Sequence, residues 1–252
     1  MMAARRGIFL APFDELADPR RVARLAARAE ERGWDGVFVW DHIVYSPPVR
    51  GCADPWVTLS AVACATERVL IGPMVTPPSR RRVQKLTREA VTLDHLSGGR
   101  LVLGLGLGGP RHGELAPFGE VEDPRRQAEM LDAALERLTA FWEGEFEPRP
   151  VQQPRIPIWL AARWPRRRPI RRAARWDGVF PIDLPGPEAI AELVADVAGL
   201  RGPDAGPFEV VVTHGADEDP APWAAAGATW CLTGFGSTPS EDEVRAAIDA
   251  GP

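Results

Sequence analysis

Short β-rich runs alternate with helical patterns along the whole chain, eight times over. That alternation restricts the fold more than any other feature. The first run covers residues 7–11. Behind it, Asp18-Pro19 supplies an N-cap and a proline at the first helical position. Val22, Leu25, Ala26 and Ala29 then fall at i, i+3, i+4 and i+7, and Gly33 stops the helix. Further strands are predicted at 36–40, 69–75, 101–105, 156–160, 178–182, 208–213 and 229–232. Helices are predicted at 56–65, 81–96, 124–143, 165–175, 187–200, 219–226 and 240–250. Several strands are unbroken apolar runs, which is the mark of burial on both faces in a parallel sheet covered by helices. Strict alternation favours a closed barrel over an open doubly wound sheet. The 252 residues also match the length of about 250 that such a barrel needs. The chain is therefore predicted to be one α/β domain, 1–252, folded as a (β/α)8 barrel of the TIM type.

An internal echo fits this reading. Trp34-Asp35-Gly36-Val37-Phe38 recurs as Trp176-Asp177-Gly178-Val179-Phe180, entering the second and sixth strands, four units apart. Half-barrel symmetry requires that spacing, and shared turn chemistry is the plainer alternative.

In such barrels the active site gathers where strands end. Asp35 and Asp177 precede their strands and fall at the stability face. His42, Thr76, the glycine run 104–109, Arg163, Asp183, His214 and Thr233 follow theirs and form the pool for a site. The run Gly104-Leu105-Gly106-Leu107-Gly108-Gly109 matches G-x-G-x-x-G, but no helix opens behind it, so a dinucleotide fingerprint is not indicated. Two readings stand: the glycines let a planar ligand lie against the strand, or they serve a structural turn. An imidazole at His42 could move a proton near neutral pH or be purely structural. Asp41 beside it could orient the ring or cap the loop. After the fifth strand come Arg163, Arg166, Arg167, Arg168, Arg171, Arg172 and Arg175, the densest positive charge in the chain. Arginines at a helix N-terminus suit a phosphate. Arg171, Arg172 and Arg175 read as a solvated helix face, and Arg163 as the anchor.

Other classes are disfavoured. A net charge of −5 argues against general affinity for nucleic acid or anionic membranes. No apolar run approaches the roughly 18 residues of a membrane span. The first residues lead straight into a strand with no room for a signal peptide. Cys52, Cys64 and Cys231 are odd in number and lack metal or redox spacing, so a reducing cytoplasm is expected. No histidine or cysteine spacing indicates a metal.

Several segments together resemble the bacterial luciferase-like family of flavin- and deazaflavin-dependent oxidoreductases. They are Asp35-Gly36-Val37-Phe38-Val39-Trp40-Asp41-His42, Asp54-Pro55-Trp56-Val57-Thr58-Leu59-Ser60-Ala61, Thr66-Glu67-Arg68-Val69-Leu70-Ile71-Gly72, Pro157-Ile158-Trp159-Leu160-Ala161-Ala162 and Ala173-Ala174-Arg175-Trp176-Asp177-Gly178-Val179-Phe180-Pro181. The specific one is Leu93-Asp94-His95-Leu96-Ser97-Gly98-Gly99-Arg100-Leu101-Val102-Leu103-Gly104-Leu105-Gly106.

The resemblance implies a luciferase-like barrel holding FMN, or the deazaflavin coenzyme F420, at its C-terminal mouth. The ring would lie near Met74, Val75, Thr76 and Gly106, with a bulge or non-proline cis bond in the third strand behind it. The phosphate would lie at Ala161, Ala162, Arg163 and Trp164, where relatives commonly carry glycines in place of the two alanines. His42 matches the histidine beside the reactive ring. Residues 144–155 and the loop after His214 look shorter than the lids of relatives.

Three expectations follow from the resemblance. The first is an FMN-dependent monooxygenase that receives reduced flavin from a separate reductase and oxygenates a small organic substrate, with His42 and Asp41 at the catalytic centre. The second is an F420-dependent hydride-transfer enzyme. The third is a non-catalytic flavin-binding or partner subunit. A homodimer is implied by the family alone.

Overall fold

A computed structural model describes residues 3–202 and 205–252. Eight parallel strands are present: β1 (Arg5–Leu10), β2 (Gly36–Val39), β3 (Leu70–Pro73), β4 (Leu103–Leu105), β5 (Ile158–Arg163), β6 (Gly178–Ile182), β7 (Glu209–Gly215) and β8 (Trp230–Gly234). Their order is β3-β2-β1-β8-β7-β6-β5-β4. The two ends of that order meet. Val102 N–H donates to the Ile71 carbonyl at 2.8 Å and Thr76 N–H to the Gly104 carbonyl at 2.9 Å, which closes the barrel. The helices are α1 (Pro19–Glu31), α2 (Pro55–Ala65), α3 (Val83–Ser97), α4 (Pro124–Ala140), α5 (Arg167–Ala173), α6 (Glu188–Arg201), α7 (Ala221–Ala225) and α8 (Glu241–Ala250). The start predicted at Asp18-Pro19 recurs at Asp54-Pro55 and Asp123-Pro124. In each case the aspartate accepts backbone N–H groups of the first turn. Among the described residues no helix is long and apolar enough to cross a membrane.

Four strands differ from expectation in a way that matters. The predicted strand 69–75 keeps regular register only to Pro73; beyond it the Met74 N–H still donates to the Val39 carbonyl at 2.8 Å, and pairing with β4 resumes at Thr76. The predicted strand 156–160 starts at Ile158, after Pro157, and runs to Arg163 by pairing with β6. The seventh and eighth strands extend two residues past their predicted ends, to Gly215 and Gly234. Arg163, His214 and Thr233 therefore lie within strands, and strand alternation decides where each points.

The inward positions are filled by Phe9, Phe38, Met74, Val102, Trp159, Phe180, Val211, Trp230 and Leu232. Three aromatic rings meet there at 5.5–5.7 Å: Phe38, Trp159 and Trp230. Such bulk needs small neighbours. A Cβ on Gly36 would lie 2.7 Å from the Phe38 ring, and one on Gly178 would lie 2.7 Å from Trp159. The outward positions, Ile8, Leu10, Val37, Val39, Ile158, Leu160, Val210 and Val212 among them, join the helices in the main core.

The echo is a structural repeat. Asp35 accepts the Arg6 N–H at 2.7 Å and Asp177 accepts the Ile158 N–H at 2.7 Å. The Asp35 carbonyl receives the Leu70 N–H, and the Asp177 carbonyl the Glu209 N–H, both at 2.9 Å. One clamp thus ties β1 to β3 through β2, and its twin ties β5 to β7 through β6. Both sit at the N-terminal face, as predicted.

Arg100 holds a third junction, where α2, α3 and β3 meet. It is 8% exposed. It donates to the carbonyls of Ser97 (2.7 Å), Val69 (3.0 Å), Ala63 (3.0 Å) and Thr66 (2.7 Å), and to the Thr66 hydroxyl (2.8 Å). No carboxylate lies within 4 Å of it among the described residues. Burial pulls its pKa below the ordinary arginine value.

The glycine run serves strand contact. A Cβ on Gly104 would stand 2.1 Å from the Pro73 carbonyl oxygen, and one on Gly72 would stand 2.1 Å from that of Val102. Both obstacles are backbone and cannot rotate away. Gly104→Ala is therefore expected to cost about 1–3 kcal/mol. Thermal unfolding should show it as a Tm drop of about 2–4 °C per kcal/mol. An unchanged Tm would mean that β3 and β4 separate at no cost.

Candidate active site

A cavity of about 840 Å³ opens at the C-terminal mouth. The inward residues of the barrel wall, Phe9, Met74, Val75, Ala161 and Phe180, form an apolar floor. The rim is charged: Asp41, His42, Arg80, Arg111, Glu114, Arg163, Arg166, Arg172, Asp183 and Glu218. That volume lies within the roughly 300–1,000 Å³ of small-molecule sites.

His42 follows β2 and faces the cavity. Its Nδ1 lies 2.9 Å from Glu114 Oε2. Glu114 is 4% exposed and sits in the loop between β4 and α4. Its other oxygen accepts the Ile43 N–H at 2.8 Å and a hydrogen bond from Arg80 Nη1. Burial pushes the Glu114 carboxyl up. The hydrogen bond and charge of His42, the charge of Arg80 and the Ile43 N–H outweigh it and hold the group below the ordinary carboxylate range. An ionised carboxylate only accepts, so His42 Nδ1 carries the proton and Nε2 is left as the basic atom.

Asp41 is placed differently from the expectation that it orients the ring. Its carboxylate accepts from Thr76 Oγ1 (2.6 Å), Arg81 Nη2 (2.9 Å) and Arg80 Nη2 (3.2 Å). Arg80, with a side chain 3% exposed, bridges Asp41 and Glu114. Asp41 is thus linked to the ring only through two intervening residues, Arg80 and Glu114.

The predicted cofactor residues divide into two sets. Met74, Val75, Ala161 and Arg163 line the cavity. The Met74–Val75 peptide is cis, as the resemblance implies. Thr76 is fully buried behind the floor, bonded to Asp41. Gly106 stands beneath Val75: a Cβ there would lie 2.6 Å from Val75 Cγ2 and 3.2 Å from Ala161 Cβ. Its small size lets those two side chains meet. Ala162 points outward into the helix-side core, and Trp164 packs against that same core.

The arginine loop also differs from its reading. Arg163 forms an ion pair with Asp183, whose φ of 64° is left-handed. Arg172, read as solvated, has a side chain only 15% exposed. It donates to Asp132 of α4 at 2.9 Å while lining the cavity. Arg166 and Arg111 line the cavity with no carboxylate within 4 Å among the described residues. His214 and Thr233, both in the pool for a site, point outward and meet each other at 3.3 Å. Neither lines the cavity. No cluster of three or more metal-ligating side chains is present among the described residues.

Glu114 and Arg80 escaped sequence reading. Glu114 lies in an 18-residue loop without periodicity, where loop length was the one usable signal.

The buried groups set a pH response. Burial pushes His112 and His214 below the ordinary histidine value of 6.5; the charge of His42 reinforces this for His112. Both bind protons more readily when unfolded, so their stability contribution is full above about pH 6.5 and is lost as pH falls below it. The lowered Glu114 contributes fully above about pH 4.5 and loses that contribution as pH falls through its folded value. Tm measured from pH 8 to 3 is expected to fall in two stages. His214→Asn should shrink the first, and Glu114→Gln should remove part of the second.

A closed (β/α)8 barrel with a histidine–carboxylate pair at its C-terminal mouth has the form of a barrel enzyme. Within that class, the chain belongs to the luciferase-like monooxygenase family, whose model matches residues 5–231. Members of this family are oxidoreductases that work with F420 or with flavin. The chain is 29% identical over 281 residues to the uncharacterized protein Rv0953c of Mycobacterium tuberculosis, covering 94% of this chain and 93% of that protein. It is 35% identical over 132 residues to an F420-dependent glucose-6-phosphate dehydrogenase of Beutenbergia cavernae, covering 50% of this chain and 38% of the relative. Among solved structures, it superposes on an F420-dependent secondary alcohol dehydrogenase carrying an F420–acetone adduct, with TM-score 0.79, 18% identity and all of both chains covered. It superposes equally on monooxygenase RslO1 from Streptomyces bottropensis, with TM-score 0.78, 17% identity and 97% and 96% of the chains covered.

Proposed function

We propose that this chain is an F420-dependent oxidoreductase that interconverts an alcohol and a carbonyl compound. The observation that carries this reading is the buried Glu114–His42 pair facing the cavity. Oxidising an alcohol removes a hydride from carbon and a proton from oxygen, so the protein must supply a base at the oxygen. His42 Nε2 is that base, and it returns the proton in the reverse direction. Glu114 fixes the tautomer and stabilises the charged ring, and Arg80 holds Glu114 in place.

The residues present fit a deazaflavin. Met74, Val75 and Ala161 offer an apolar floor to a planar ring, and Arg166 offers an uncompensated cation to an anionic tail. When bound, the deazaflavin supplies a two-electron hydride acceptor or donor. The oxygenase alternative would use FMN in the same cavity and would require reduced flavin from a separate reductase. The names of relatives matched over part of the chain, F420-dependent dehydrogenases, support the first reading.

Titrating the purified protein with F420 and with FMN, each oxidised and reduced, tests the choice. F420 is expected to bind at micromolar concentration and FMN at least about tenfold more weakly, a gap of about 1.4 kcal/mol. Tighter binding of reduced FMN would turn the assignment to the oxygenase.

A further inference from the structure

The loop between β4 and α4 brings a second imidazole beside the first. The His112 ring is perpendicular to that of His42, with centroids 5.5 Å apart. It is held rigidly: it stacks on Tyr45 at 3.8 Å, and its Nδ1 lies 2.9 Å from Ser46 Oγ. Nδ1 is thereby occupied, and Nε2 has no protein partner among the described residues. Arg111, next in the chain, is exposed, lines the same cavity and has no carboxylate within 4 Å among the described residues.

Neither feature is needed for proton transfer at His42. The His42–Glu114–Arg80 unit is complete without them, and both Glu114 oxygens are already engaged. Beside it stands an unneutralised guanidinium with an imidazole whose free nitrogen is available. A guanidinium takes a carboxylate through two parallel hydrogen bonds, and an uncompensated anion would otherwise be costly in this half-enclosed mouth. With centroids 5.5 Å apart, the two rings are close enough for one small molecule to reach both with separate oxygen functions.

We propose that Arg111 and His112 form a carboxylate subsite, which makes the substrates small hydroxy or oxo carboxylates. The reacting oxygen lies at His42 and the carboxylate lies against Arg111 and His112. This rests on the assignment of His42 as the base of an alcohol–carbonyl oxidoreductase. The subsite itself is tested without turnover.

Imidazole NMR resonances of the intact protein would be followed during titration with glycolate, ethylene glycol and ethyl phosphate, alone and with saturating cofactor. His112→Gln assigns the His112 signal. Glycolate is expected to shift the His42 and His112 signals together, while ethylene glycol leaves them in place. Arg111→Gln, on an exposed side chain with no hydrogen bond or ion pair among the described residues, is expected to weaken glycolate at least about tenfold, as loss of a charge-assisted hydrogen bond predicts. Four results overturn the proposal: equal shifts with the diol, tighter binding of ethyl phosphate, unchanged glycolate affinity in Arg111→Gln, or no shift in either state. Failure of the cofactor assignment would show in the F420 and FMN titrations and leaves this readout intact.

Discussion

His42→Ala is expected to lower turnover by about 10²–10⁴-fold, the range set by a positioned general base. This corresponds to about 3–5 kcal/mol of lost transition-state stabilisation. The imidazole reaches the cavity while Glu114 holds its other nitrogen, so the ring is fixed in position and tautomer. Alanine removes the base but leaves Glu114 bonded to Arg80 and Ile43, so the surrounding structure keeps its charge balance. Cofactor affinity should stay within about twofold, and the loss should fall on kcat rather than KM. Glu114→Gln keeps the shape and removes the charge. It should lower kcat less than His42→Ala, because the base remains while the charge that fixes and stabilises it is gone. Steady-state kinetics across pH decides the matter. A kcat within threefold of the parent chain in His42→Ala would take the base role from this residue.

Arg100→Leu is expected to produce the largest loss of stability, about 3 kcal/mol, through buried acceptors left without a donor. For a chain of this size that is a Tm drop of about 6–12 °C by circular dichroism. The guanidinium serves four carbonyls and a hydroxyl on three elements, and one leucine replaces none of them. Arg100→Lys should recover only part, because an ammonium is a point donor without the planar fork. A drop below about 2 °C in Arg100→Leu would mean that the carbonyls find other partners.

The fold was largely readable because alternation, Asp-Pro caps and apolar runs are local signals. Strand ends are less legible, because pairing with a neighbour far along the chain decides them: β5 runs on to Arg163 by pairing with β6, and β7 and β8 carry each other to Gly215 and Gly234. Site residues followed the same division. His42 could be put at the mouth because it follows a strand. Its partner Glu114 lies 72 positions away, in a loop where no periodicity marks it. Arg172 looks solvated in the sequence because its neighbours on α5 are arginines, and only packing against α4 brings Asp132 to it. Gly104 and Gly106 look like a ligand cradle in one dimension. Their purpose depends on Pro73 and Val75, about thirty residues earlier.

The Arg163–Asp183 pair gives the mouth the character of an ion exchanger. Arg163 already holds a counterion supplied by the chain, so an anion arriving there must swap places with the Asp183 carboxylate. Both side chains are more than a third exposed, so water weakens the resident pair and the swap is inexpensive. One anion enters as another is released, and the local charge changes less than at a bare cation. Binding at this end of the cavity should therefore depend only weakly on ionic strength, whereas an anion that lands on Arg111 or Arg166 meets no such resident and should feel added salt in full.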